Sequence, residues 1–138
     1  MRKKIIIILI PIVILLFAFL SVAAFYIRPL DKANRLLIAA NKSDTVEKIE
    51  DNSMISQENY NKLRIIDRDI SEDEYVQLKT NKKYKLIGLK NVDIICFIKA
   101  TVDSFDKKDF SDSYTKNLKI SFSFIEGEWI VANVDIID

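Results

Sequence analysis

The chain has 138 residues, room for one soluble domain once a membrane segment is set aside. It contains no histidine and one cysteine, Cys96. An intramolecular disulfide is therefore excluded, and the commonest metal ligand and neutral-pH proton carrier is missing. Lys and Arg total 21 against 20 Asp and Glu, and three of the bases (Arg2, Lys3, Lys4) precede an apolar run; residues 28–138 thus hold 18 bases against 20 acids, which gives no electrostatic reason to bind nucleic acid. Ile, Lys and Asn are abundant while Gly and Pro occur twice each, a bias that suggests the AT-rich genome of a low-GC bacterium.

Residues 5–27 read IIIILIPIVILLFAFLSVAAFYI without a charge. As a helix this run covers roughly 34 Å at about 1.5 Å per residue, against a hydrocarbon core of about 30 Å. It predicts a single-pass transmembrane helix following a tail at residues 1–4. Pro11 sits near its start, where a lost hydrogen bond costs least. Tyr26 and Arg28 suit an interfacial anchor at the far end. The competing reading is a cleaved signal peptide, with Val22-Ala23-Ala24 as small residues for a peptidase and a new N-terminus near Phe25. No cysteine stands directly after the run to carry a lipid. Arg28, Lys32 and Arg35 follow the run closely, so the charge difference across it is small; the cost of translocating a short tail with three cations is what predicts a cytoplasmic N-terminus and residues 28–138 outside the cell membrane.

Pro29 marks the membrane exit. The spacing of Ala33, Leu36, Leu37 and Ala40 predicts an amphipathic helix over 31–41. Asp44 to Glu47 fits a capping box opening a second short helix, Ser56 caps another, and Ser71 to Glu74 forms a second capping box ahead of Tyr75, Val76 and Leu78. A weaker strand follows over 84–89.

The period then changes. Residues 92–104 alternate, with Val92, Ile94, Cys96, Ile98, Ala100 and Val102 on one face. A polar connection covers 106–113. Leu118, Ile120, Phe122 and Phe124 share the next strand's inner face, Glu126-Gly127 signals a hairpin, and residues 129–137 return. The expected fold is α+β: short helices on a curved antiparallel sheet of three to four or more strands.

The order VDIICFIKATVDSF, DKKDFSDS, LKISFSFIEGEWIVANVDI resembles the nuclear transport factor 2-like (cystatin-like cone) superfamily. Gly127, Trp129 and Val131 stand at its Gly-x-Trp-x-aliphatic positions, and LLIAANKSDTVEKI is similar to its opening helices. The resemblance covers about residues 31–138 and implies a cone-shaped domain. A membrane helix leading directly into such a domain also resembles the small bitopic assembly subunits of bacterial conjugation and type IV secretion machines, which use the domain for protein contacts.

Enzymes of the superfamily work with Asp, Tyr or His inside the cone. With no histidine here, the resemblance leaves Asp93, Asp103, Tyr84 and Tyr114 as groups of suitable chemistry, but both aspartates alternate away from the apolar face. No catalytic residue, metal ligand or cofactor is expected. Cys96 lies between Ile94 and Ile98 and reads as a buried inert thiol. Trp129, with Phe122 and Phe124, reads as a core plug under the helices, with stacking on a small ligand in the cone as the other reading. Lys82, Lys83 and Lys85 read as a solvated turn, with anionic headgroups as the other reading. Asn41-Lys42-Ser43 matches a glycosylation sequon, a chance match in a bacterial chain.

One feature points to a covered sheet face. Ile95 and Phe97 interrupt the polar face of the long strand, and strict alternation puts Ile130, Ala132, Val134 and Ile136 on the matching face of the last strand. Ile95, Phe97, Ile130, Val134 and Ile136 are thus expected to form an apolar patch, covered by the chain's own segments, by another protein or by a second copy. The leading functional expectation is a membrane-anchored extracytoplasmic interaction or assembly module of a bacterial envelope. The alternatives are a small-ligand-binding or enzymatic cone and a secreted domain released by signal cleavage.

Overall fold

The computed structural model describes residues 2–41, 55–66, 68, 70–105 and 112–137. Helix α1 spans Arg2–Asn41 and carries Pro11 and Pro29 inside it. Helix α2 covers Gln57–Lys62, and four strands follow: β1 (Glu74–Gly88), β2 (Asn91–Ser104), β3 (Asp112–Ile125) and β4 (Glu128–Ile137). They form one antiparallel meander in the order β1-β2-β3-β4. The architecture is α+β, a curved four-stranded sheet with helices on one face, as the sequence pattern implies.

The apolar run and the later amphipathic spacing predict a membrane helix and a separate second helix; the structure joins them. Pro29 lacks an N–H, so the carbonyl four residues earlier, Phe25 O, loses its helical donor. The indole Nε1 of Trp129 donates to that oxygen at 3.1 Å. The freed group is satisfied from the sheet, and the helix continues through the proline. The amphipathic spacing then operates as expected: Ala33, Leu36, Leu37 and Ala40 are buried on the inner sheet face.

Ser56 caps α2, its hydroxyl accepting from Asn59 N at 3.2 Å. The capping box at 44–47 lies outside the described residues. The second box does not open a helix. Glu74 Oε1 accepts from Ser71 N at 3.2 Å, one half of a capping box, but Ser71 Oγ donates to the same carboxylate at 2.8 Å instead of accepting from Glu74 N, which bonds Ser71 O, and the chain then enters β1. Two causes are visible. Tyr75, Val76, Thr80, Tyr84 and Ile87 favour a pleated strand, and β1 finds a full-length antiparallel partner in β2 from Glu74↔Ser104 to Leu86↔Val92.

The inner face of β2 is fully sealed, with Val92, Ile94, Cys96, Ile98, Ala100 and Val102 each at most 3% exposed. Leu118, Ile120 and Phe122 of β3 complete it. The β3–β4 turn is a two-residue hairpin with positive φ at both Glu126 (52°) and Gly127 (82°), the type I′ geometry that matches strand twist.

The last strand departs from strict alternation. Ser121 pairs with Asn133 and Phe122 with Val131, so Ala132 is an extra residue in a β-bulge. After the bulge the faces exchange. Trp129, Val131 and Val134 all point into the core, at 1, 6 and 0% exposure.

Candidate functional site

The point where the apolar helix meets the domain is the most elaborately built region. Residues 5–22 of α1 stand free of the domain, whereas Phe25, Tyr26 and Leu30 pack against its core. Phe25 contacts Phe124 and Trp129 at ring-centroid distances of 4.7 and 5.1 Å. Tyr26 Oη donates to Leu89 O in the β1–β2 turn, and Tyr84 Oη of β1 donates to Tyr26 O, both at 2.8 Å. Lys32 Nζ donates to Trp129 O at 2.8 Å, and Lys82 Nζ reaches Asn34 Oδ1. Aromatic packing and hydrogen bonds from three strands thus fix the helix axis to the sheet, and the apolar part of α1 runs into the domain as one continuous helix.

Trp129, Phe122 and Phe124 come together as the sequence pattern expects. Trp129 and Phe122 are buried to 1%, and Phe124 is half-buried beside them. Trp129 also satisfies the Phe25 carbonyl, a role that sequence spacing does not reveal. The available signal is Pro29, which releases a carbonyl that some donor must meet.

The expected apolar patch is not assembled as a unit. Ile95 and Phe97 do face outward in adjacent rows, with Phe97 40% exposed under the Lys83 ammonium (5.8 Å to the ring centroid). Val134 does not share that face: the bulge at Ala132 turns it into the core opposite Ile120. Ile136 is turned to the inner side with it, beside Leu118, at the open margin of the sheet. Ile130 stays outside but pairs with Ser123, opposite Asn91, two same-face rows from Ile95. The register puts Ile137 on the outer face in the Phe97 row, with Asn117 between them. Lys79, Lys83, Lys85, Lys99 and Lys119 share this face with Asp93, Asp103 and Asp135, and Lys119 pairs with Asp135 at 3.5 Å. The outer face is a wet, lysine-rich surface with a small apolar centre at Ile95 and Phe97.

The groups of catalytic type do not converge. Asp93 and Asp103 are on the outer face, separated by ten positions of one strand, about 34 Å. Tyr84 and Tyr114 are on the inner face, in rows with Ile94 and Ala100. Burial pushes the Cys96 thiol up to about 11, and the thiol is sealed in the core. Among the described residues no group of three or more Cys, Asp or Glu is placed to hold a metal. An open depression of about 210 Å³ lies by Thr115, Lys116, Asn117, Ile136 and Ile137. Its lysine already donates to Lys62 O and Arg64 O at 3.1 and 3.0 Å.

Two polar clasps complete the domain. Asn41, first residue of the sequon-like triplet, is 3% exposed. Its Nδ2 donates to Leu37 O (2.8 Å) and Leu63 O (3.1 Å), and its Oδ1 accepts from Ile65 N (2.7 Å). The amide is therefore consumed in tying the helix end to the 63–65 segment. At the opposite end from the β1–β2 turn, Arg68 grips Glu74 through two hydrogen bonds (3.0 and 2.8 Å) and reaches Asp112 at 2.8 Å, linking β1 to β3 across the end of β2. The Arg68 guanidinium and Ser71 hold the Glu74 carboxyl down at about 2.

Lys82, Lys83 and Lys85 do not form one cluster. Lys82 turns inward to Asn34, while Lys83 and Lys85 lie on the outer face. Comparison with protein-family models, with curated proteins and with solved structures finds no match to this chain.

Proposed function

We propose that this protein is a single-pass membrane protein of a bacterial envelope whose domain is a rigidly mounted protein-interaction or assembly module. The observation that carries the reading is the continuity of α1. One helix is long and apolar enough to cross a membrane at its N-terminal part and is the core helix of the α+β domain at its C-terminal part. A domain fixed in this way is presented in one orientation, which favours contact with neighbours in the same membrane, because confinement raises effective concentration. In this reading the N-terminus is cytoplasmic and the domain outside; Arg2, Lys3 and Lys4 precede the apolar run and Arg28, Lys32 and Arg35 follow it, so protease accessibility rather than flanking charge decides the orientation.

The contact is centred on Ile95 and Phe97. An exposed aromatic ring among Lys79, Lys83 and Lys99 suits a partner that brings an apolar side chain ringed by carboxylates. Helix on one face of a curved meander supports the cystatin-like cone resemblance, and the membrane-mounted arrangement supports the likeness to bitopic assembly subunits. A ligand-binding cone has less support, since α1, the segment from Ile55 to Ile66 and Trp129 fill the inner face.

The test is site-directed photo-crosslinking in cells, with a photoreactive residue at Phe97 or at exposed Glu72. A discrete adduct from Phe97 and none from Glu72 is expected. Absence of an adduct at Phe97, with every association of the protein surviving Phe97→Lys, would reject this surface.

A further inference from the structure

The rim of the sheet next to the anchor is unusually apolar. Leu86, Ile87 and Leu89 of the β1–β2 hairpin are 54, 52 and 82% exposed, and Ile125 of the neighbouring β3–β4 hairpin is 49% exposed. A hairpin turn in water favours Asn, Asp, Gly and Ser. Here the two turn residues between the paired Gly88 and Asn91 are Leu89 and Lys90, and Leu89 is apolar.

The place of this rim is set by the anchor. Tyr26 Oη bonds the Leu89 carbonyl at 2.8 Å, and Phe124 N bonds the Lys90 carbonyl at 2.8 Å, so both hairpins are held at the level of Phe25 and Tyr26. The part of α1 before that level, residues 5–24, is an uncharged stretch of about 30 Å, which equals the hydrocarbon thickness. Tyr26 therefore falls at the boundary between hydrocarbon and headgroups, and Leu89 falls there with it.

We propose that the β1–β2 hairpin tip, with Ile125 beside it, dips into the lipid surface where α1 leaves the bilayer, giving the domain a second membrane contact. The proposal rests on the anchor reading of α1. Leu86, Ile87 and Leu89 enter the interfacial zone. Lys85 and Lys90 flank them and, with Arg28, suit lipid phosphates. Glu126 and Glu128 border Ile125 and keep the second tip shallower. The span and the tip together hold the domain at two points, which fixes its rotation about the helix axis.

The test uses the full chain in mixed phosphatidylcholine–phosphatidylglycerol vesicles. Leu89→Cys, Leu15→Cys and Gln77→Cys are each labelled with an environment-sensitive fluorophore; sealed Cys96 stays unlabelled. Gln77 is exposed on β1, nine positions or about 30 Å along the strand from Leu86. Acyl-chain nitroxide lipids should quench the probes at Leu15 and Leu89, the latter blue-shifted, and leave Gln77 untouched. Quenching at Leu15 with a water-like probe at Leu89 overturns the tip contact while the anchor stands. No quenching at either site removes the anchor reading and the proposal with it. A blue-shifted Leu89 probe that lipid nitroxide does not quench places protein over the tip and overturns lipid as its occupant. Quenching at Gln77 as well means that the domain lies flat, which also overturns it.

Discussion

Asn41 offers the sharpest test of how the domain is closed. Replacing it with alanine removes a donor shared by the Leu37 and Leu63 carbonyls and the acceptor for Ile65 N–H. The site is sealed, with Asn41 at 3% and Leu63 at 0% exposure, so water does not readily replace the amide. Each buried group left unpaired costs about 1–3 kcal/mol. With some relaxation around the helix end, Asn41→Ala should cost about 2–4 kcal/mol, and for a domain of this size the melting temperature should fall by about 10–20 °C. Asn41→Asp keeps the acceptor for Ile65 N–H but turns a carboxylate oxygen toward two carbonyls. It should be at least as damaging at neutral pH and partly recover when acid protonates it. Circular dichroism melting of the full chain in detergent measures both. The exposed Asn133, which donates to Asp135, is the control, with Asn133→Ala within about 0.5 kcal/mol of the parent. If Asn41→Ala melts with Asn133→Ala, the helix end is not clasped as described.

Further expectations follow from other parts of the molecule. Val134→Lys should unfold the domain, because a core position receives an unpaired charge, whereas Phe97→Lys should change stability by less than about 1 kcal/mol; equal effects in thermal melts would contradict the bulge at Ala132. Glu126→Asn should raise stability by about 0.5–1 kcal/mol by relieving a positive φ at a residue poorly suited to it, read in denaturant titrations. The Glu74 carboxyl is held at about 2, below its ordinary value near 4.5. Its contribution is therefore present above pH 4.5 and lost as pH falls through 2, and Glu74→Gln should flatten that part of the melting-temperature profile. The whole protein should resist carbonate extraction from membranes, with its domain open to external protease in intact cells; recovery of a soluble form beginning at Phe25 would mean cleavage instead.

Much of the fold is legible because the sequence signals are local. The uninterrupted apolar run, the alternation of residues 92–104 and Glu126-Gly127 each specify their element without help from a distant residue. The misread places are those where a distant group decides. Ser71 to Glu74 has the side chains of a helix start, yet pairing with β2 makes the following residues a strand. Pro29 reads as a helix boundary until the Trp129 indole, 100 positions later, supplies the missing donor. In β4 the spacing Trp129, Val131, Val134 already departs from two-residue alternation, and that departure is the signature of the bulge that divided the expected patch. The Asn41 clasp left no mark beyond a polar residue at a helix end.

Pro29 is where α1 would be expected to bend, and Trp129 and Tyr84 clamp the helix there from the side. If α1 crosses a bilayer as proposed, its apolar part and the sheet would move as one lever. In a bilayer of about 27 Å, thinner than the free span, a rigid helix of about 30 Å meets the mismatch by tilting roughly 25°. A domain on a flexible tether would ignore that tilt. This one would lean by the same angle, pressing one rim of the sheet toward the headgroups and lifting the other. Membrane thickness would thereby be converted into the posture of the outer face, a change that energy transfer from Gln77 to the lipid surface would register across vesicles of graded acyl-chain length.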